Sequence, residues 1–239
     1  MKTSLHIILV VSLFFLIHSC QFIGPSVQGD GQVTTENRAV SGFEKVKASR
    51  GIEVYLIPDS TEYVVVEADQ NLHEYIRTEL KHETLEVYVE RRMRSENSRK
   101  VLVHFVRLNE VESSAGAIVR ANEVLNLKAL ELSASSGSQQ YLALEVDSID
   151  AGCSSGAQLH LSGQCRKVGL QASSGALLRA AELNAEHCDA DVSSGAQIEI
   201  SVQSGLKAEA SSGGQIRYSG NPAQTEIHKS SGGLISAVN

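Results

Sequence analysis

The segment Ile149-Asp150-Ala151-Gly152-Cys153-Ser154-Ser155-Gly156-Ala157-Gln158-Leu159-His160-Leu161 alternates apolar and polar residues, breaks at Ser-Ser-Gly, and then alternates again. A period of two describes strands with one buried face and excludes helical repeats, which need apolar spacings of three and four. The same tripeptide begins at Ser135, Ser154, Ser173, Ser193, Ser211 and Ser230, with a variant at Ser114-Ala115-Gly116. Successive first serines are 21, 19, 19, 20, 18 and 19 residues apart, so one architectural unit repeats about seven times.

Alignment on that serine separates inward from outward positions. Five residues before it stand Leu130, Ile149, Val168, Cys188 and Leu206; three before, Leu132, Ala151, Leu170, Ala190 and Ala208; one before, Ala134, Cys153, Ala172, Val192 and Ala210. The columns between them are polar, as in Glu131, Asp150 and Asp189 or Gln171, Asp191 and Glu209. Coils of about 19 residues that return to the same columns form a parallel β-solenoid, here over residues 113–239. The Ser-Ser-Gly step is its corner, where Gly permits an unusual backbone and Ser hydroxyls are expected to satisfy groups leaving the ladder.

Residues 40–112 do not repeat, yet Phe43-Glu-Lys-Val46, Ile52-Glu-Val54-Tyr-Leu56, Val64-Val-Val66, Leu85-Glu-Val87-Tyr-Val89 and Val101-Leu-Val103-His-Phe105 read as five strands. Tyr75, Ile76 and Leu80 at helical spacing after Asp69 and Asn71, either of which would serve as N-cap, predict a short helix. This β-rich part is expected to close the first coil.

Composition narrows the function. Lys and Arg total 21 against 28 Asp and Glu, with net charge −7, which excludes a nucleic-acid footprint. Residues 1–19, with Lys2 and an apolar run ending at Ile17-His18-Ser19-Cys20, read as a signal peptide, and the small residue before Cys20 resembles a bacterial lipobox. Cys20 is then the lipidation site, residues 20–39 a tether, and the chain an exported, outer-membrane lipoprotein facing the periplasm or the cell surface. Folded structure is expected from near Val40.

Gly51-Ile-Glu-Val-Tyr-Leu, Tyr63-Val-Val-Val-Glu-Ala-Asp-Gln-Asn-Leu72 and Thr84-Leu-Glu-Val87, followed by Ser-Ser-Gly coils, together resemble the putative autotransporter adhesin, head GIN domain family, over about residues 40–238. The resemblance implies a right-handed β-helix-like fold and exported proteins and lipoproteins of Bacteroidetes-type bacteria. It supplies no catalytic residues.

Candidate chemistry is sparse. Gly152-Cys153-Ser154-Ser155-Gly156 matches the G-x-S-x-G pattern of hydrolases, but its sister coils lack the first Gly and no helix is expected after it. Cys153, Cys165 and Cys188 occupy apolar columns and read as buried thiols. The acidic residues Glu131, Asp150, Asp189, Asp191, Glu209 and Glu226 lack a calcium-loop pattern, and no cofactor or metal site is expected. The ligand-binding candidates lie after the corner: Gln139, Gln158, Gln197 and Gln215 in one outward column, Arg120, Arg179 and Arg217 in the next with Tyr141, His160 and Glu199. Such a band suits a glycan or an envelope protein; alternatively its amides ladder with one another. The last coil, with Leu234, Ile235 and Val238, is expected to offer a surface to a second copy. The leading expectation is therefore a non-enzymatic envelope adhesin or assembly module, against a polysaccharide-active β-helix enzyme or a structural spacer. Fatty-acid labelling checks the anchor: Cys20→Ala is expected to abolish incorporation, and equal label in parent and variant would refute it.

Overall fold

The computed structural model describes residues 26–95, 97 and 99–238. The signal peptide and Cys20 lie outside the described residues. Strands β1 (Val27–Gln28), β2 (Val33–Arg38), β3 (Lys45–Ser49), β4 (Glu53–Pro58) and β5 (Tyr63–Asp69) lead into a 3-10 helix, Gln70–Tyr75. There follow β6 (Ile76–Lys81), β7 (Thr84–Val89), β8 (Met93–Arg94), β9 (Lys100–Phe105), β10 (Glu110–Ser113), β11 (Ile118–Ala121) and β12 (Leu125–Ala134). The long strands β13 (Gln139–Cys153), β14 (Gln158–Ala172), β15 (Leu177–Val192) and β16 (Gln197–Ala210) form the body, and β17 (Gln215–Ser219), β18 (Gln224–Lys229) and β19 (Leu234–Ala237) the last coil.

The fold is an all-β solenoid of about seven turns. Parallel pairing links equivalent columns in successive coils: Leu132 to Ala151, Ala151 to Leu170, Leu170 to Ala190, and Ala190 to Ala208. Every residue of the three inward columns is buried, from Leu130 and Ile149 through Val192 and Ala210. Fully burying one such Leu or Ile contributes about 1.5–3 kcal/mol.

The corners explain the tripeptide. Ser155 and Gly156 have φ of 52° and 70°, and Ala157 N–H donates to Ser154 O at 3.1 Å. Two consecutive positive φ values closed by that bond define a type I′ turn. Ordinarily this turn joins the two strands of a hairpin, as His82 and Glu83 (φ 46° and 64°) do between β6 and β7. At the corner the flanking strands bond to neighbouring coils instead. The turns themselves stack: the N–H of Gly137 donates to Ser155 O, Gly156 to Ser174 O and Gly175 to Ser194 O, at 3.1–3.2 Å. From Ser114 to Gly213 the ladder thus continues through the first residue and the Gly of each corner by backbone bonds alone, which corrects the expectation that serine hydroxyls compensate for lost bonds. An eighth turn precedes the recognised repeats, because Arg50 and Gly51 (φ 60° and 74°) take the same conformation and β3 and β4 pair with β10 and β11.

At the seven serine-led corners the turn pinches the two walls into a wedge and the first residue after it is small, namely Ala117, Ser138, Ala157, Ala176, Ala196, Gly214 and Gly233, whereas the Arg50-Gly51 turn is followed by the buried Ile52. At Gly233 a Cβ would lie 2.2 Å from Ala210 O, and at Gly214 2.8 Å from Val192 O.

At the N-terminal end the chain doubles back. β7 and β9 pair in parallel with β3 and β4, forming a coil beneath the one that precedes them in sequence. Antiparallel β6 then covers β7, β5 covers β9, and β2 covers β5. Two expectations are corrected here. The 3-10 helix stops at Tyr75, and Ile76–Lys81 is a strand because the His82-Glu83 turn returns it against β7. Ordered pairing also begins before Val40, since Val33–Arg38 supplies the outer edge of the cap. Asp69 precedes the helix without capping it through its side chain. Its buried carboxylate instead accepts from Ser95 Oγ at 2.6 Å and Asn97 Nδ2 at 2.8 Å, which hold its pKa below the usual aspartate value. At the other end Leu234 and Val238 are exposed but Ile235 is buried, and Lys229 Nζ donates to Ile235 O at 2.9 Å.

The corner generates a direct test. Gly175 has open space around its would-be Cβ, so Gly175→Ala isolates the cost of positive φ. It is expected to destabilise by about 1–2 kcal/mol, while Ser174→Gly stays near zero. Chemical denaturation measures both.

Candidate functional site

Pairing places the candidate band as two adjacent outward columns on the wall after the corner. One runs Gln139, Gln158, Leu177, Gln197 and Gln215; the other runs Arg120, Tyr141, His160, Arg179, Glu199 and Arg217. Because each strand is bonded to the next, the side chains in a column stand about 4.8 Å apart. Planar groups at that spacing stack. The Arg120 guanidinium lies 4.3 Å above the Tyr141 ring, and Tyr141 stacks on His160 with centroids 4.6 Å apart and planes 19° from parallel. Arg179 Nη1 is 3.5 Å from His160 Nε2.

The ladder is knit within strands as well as between them. Tyr141 OH donates to Gln139 Oε1 at 2.7 Å, and His160 Nε2 is 3.5 Å from Gln158 Oε1. These amides bond to the residue two positions on rather than to one another. Arg120 Nε pairs with Glu53 Oε1 and Arg217 Nη1 with Glu199 Oε1, both at 3.1 Å. Burial, assisted by the Arg179 charge, lowers the His160 pKa below the usual histidine value, so the ring is neutral near pH 7. Gln197, Gln215 and Arg179 are exposed, and among the described residues the two amides have no side-chain partner and Arg179 no carboxylate within 4.0 Å. Both faces of Tyr141 are covered, leaving only its edge to a ligand.

The remaining candidates separate from this band. Ser154 opens a corner followed by strand β14, where a hydrolase elbow requires a helix. Lys207 interrupts the acidic stripe, its Nζ 3.0 Å from Glu209 and 3.9 Å from Asp189. Cys153, Cys165 and Cys188 are buried and, among the described residues, unbridged. Burial pushes the thiols of Cys153 and Cys188 up to about 11 and about 12. Two features escaped the sequence reading. Gln140 points inward, donating to Ser133 O at 2.8 Å and Ser113 Oγ at 3.0 Å, with Oε1 left buried and unpaired. Strand β15 bulges beside the ladder, where His160 pairs with Arg179 but Ser162 with Glu182.

A family model described as "Putative auto-transporter adhesin, head GIN domain" matches residues 42–222. Among solved structures, a putative adhesin from Bacteroides fragilis aligns with TM-score 0.81 at 17% identity, covering 89% of this chain and 100% of that one. A putative lipid binding protein from Parabacteroides distasonis aligns with TM-score 0.71 at 16% identity, and a putative adhesin from Parabacteroides merdae with 0.69 at 20%. Each covers 90% of this chain and 100% of its own. No curated protein matches. Among the described residues, no helix is long and apolar enough to cross a membrane.

The thiols supply the test here. Alkylation at mildly alkaline pH is expected to be slow for Cys153, Cys165 and Cys188 in the native protein and fast in denaturant, because the reactive thiolate is disfavoured and shielded. Rapid native labelling would contradict the burial.

Proposed function

We propose, from the premise that this chain belongs to the family described as "Putative auto-transporter adhesin, head GIN domain", that it is a non-enzymatic adhesin of the cell envelope. Anchored through a lipid on Cys20, it presents the Gln and planar-cation ladder as a fixed face to a surface glycan or similar polymer. The observation that carries this reading is the ladder itself. Strand pairing fixes the spacing of the columns and stacking holds Arg120, Tyr141 and His160 before any ligand arrives, so little side-chain entropy of those three groups remains to be lost on binding. The exposed amides of Gln197 and Gln215 and the guanidinium of Arg179 retain unused hydrogen-bonding capacity toward a polymer lying along the coils.

Incubation of the full chain, purified in detergent, with envelope and host glycans tests the reading. Expected is retention of polymer with no cleavage products, weakened by the joint substitution Gln197→Ala and Gln215→Ala. Products shortened by the protein would instead establish an enzyme, and absence of any retention would remove the adhesin reading.

A further inference from the structure

After the long first step of 21 residues, the repeat departs from its period only around Ser193, where a step of 20 residues precedes one of 18. The structure gives that irregularity a location. Against β14, strand β15 moves from the pair His160–Arg179 to the pair Ser162–Glu182, one residue too many. Against β16 it moves from Ala180–Ile200 directly to Asn184–Ser201, leaving Ala181, Glu182 and Leu183 without counterparts. A bulge of this kind interrupts the ladder and re-aims side chains. Beside it opens a groove of about 450 Å³, lined by Tyr141, His160 and Arg179 from the ladder and by Ser162, Ala181 and Glu182 next to the bulge. That volume falls in the roughly 300–1,000 Å³ range of small-molecule sites.

The lining selects a ligand chemistry. Arg179 offers donors only and Glu182 acceptors only, and among the described residues neither has an ion-pair partner within 4.0 Å, while Glu199, the other carboxylate of the lining, is paired with Arg217 at 3.1 Å. An anion attracted by Arg179 would meet the Glu182 carboxylate, and a cation attracted by Glu182 would meet the guanidinium. A hydroxyl both donates and accepts, so neighbouring hydroxyls satisfy both groups without uncompensated charge. The Ala143 and Ala181 methyl groups that also line the groove suit the C–H face of a sugar ring. With both Tyr141 faces occupied, selectivity has to come from these polar edges rather than from aromatic stacking.

We propose that the groove beside the β15 bulge is a subsite for one neutral sugar unit, an assignment that rests on the polymer-binding reading of the ladder. The test measures binding of the full chain to dextran and mannan as neutral polymers and to polygalacturonate and hyaluronate as anionic ones. Parent protein is compared with Arg179→Ala, Glu182→Gln and Ala181→Trp, and with Glu131→Gln in the wall before the corner as control. Melting temperature checks folding, and Glu182→Gln, isosteric and exposed, keeps the comparison valid should Ala181→Trp fail to fold. Expected is a preference for a neutral polymer, weakened about tenfold by Arg179→Ala or Glu182→Gln, the loss of one hydrogen bond to a charged group, and unaffected by the control. Because Arg179 belongs to ladder and groove alike, neutral-polymer binding that survives Glu182→Gln and Ala181→Trp but falls with Gln197→Ala and Gln215→Ala overturns the subsite and leaves the ladder reading standing. Preference for the anionic polymers overturns the neutral-sugar assignment, and no binding to any polymer removes the ladder reading and the subsite together.

Discussion

A parallel solenoid has to turn corners without stranding the backbone, because a buried N–H or C=O left unpaired costs about as much as a lost hydrogen bond. Here the requirement is met by stacking the corners on each other. Each Gly N–H of one type I′ turn donates to the second-position carbonyl of the next turn, from Gly116 to Gly213. The price is a non-glycine residue at φ of 46–60° in every turn, roughly 1–2 kcal/mol each by local sterics. Ladder bonds and the buried columns on both sides offset it. At the seven serine-led corners the small residue after the turn follows from the same geometry, since at Gly214 and Gly233 a Cβ would meet the backbone of the preceding coil.

Departures from that regularity are where the molecule differentiates. At the N-terminal end, reversal of the chain through the 3-10 helix places antiparallel strands over the parallel stack and covers its edge, while Leu72, fully buried, fills the space beneath. In the body the corners stay in step across β15, with Gly175 and Gly195 both bonded to the following turn. The extra residues are therefore displaced into the wall, where they form the bulge and its groove beside the planar ladder. Regular stacking gives the ladder its rigidity, and the irregular coil gives it a concavity.

The repeat was legible because burial imposes a strict two-residue parity. Leu130, Leu170 and Ala190 could be assigned inward, and Gln158 and Arg179 outward, from spacing alone, and the registers agree. What spacing could not supply was backbone dihedral angle. Arg50-Gly51 is a corner like the others, but Arg and Ser share no side-chain signature for positive φ. Helical spacing at Tyr75, Ile76 and Leu80 misled because a two-residue turn at His82-Glu83 outweighed it. Gln140 stands on the same parity as Leu159, so its burial was available to a stricter reading, as was the bulge in the unequal steps flanking Ser193. The vertical stacking of Arg120, Tyr141 and His160 depends on side-chain rotamers that no column alignment contains.

Amide hydrogen exchange at the corner glycines tests the stacked-turn account most directly. Gly137, Gly156, Gly175 and Gly195 are exposed residues at the tips of two-residue turns, where amides ordinarily exchange quickly. If their N–H groups are bonded to the next coil, they exchange as slowly as the strand amides of Leu159 and Leu178. Exchange at the rate of open turns, with those strand amides still protected, would show that the corners do not carry the ladder and would contradict the account.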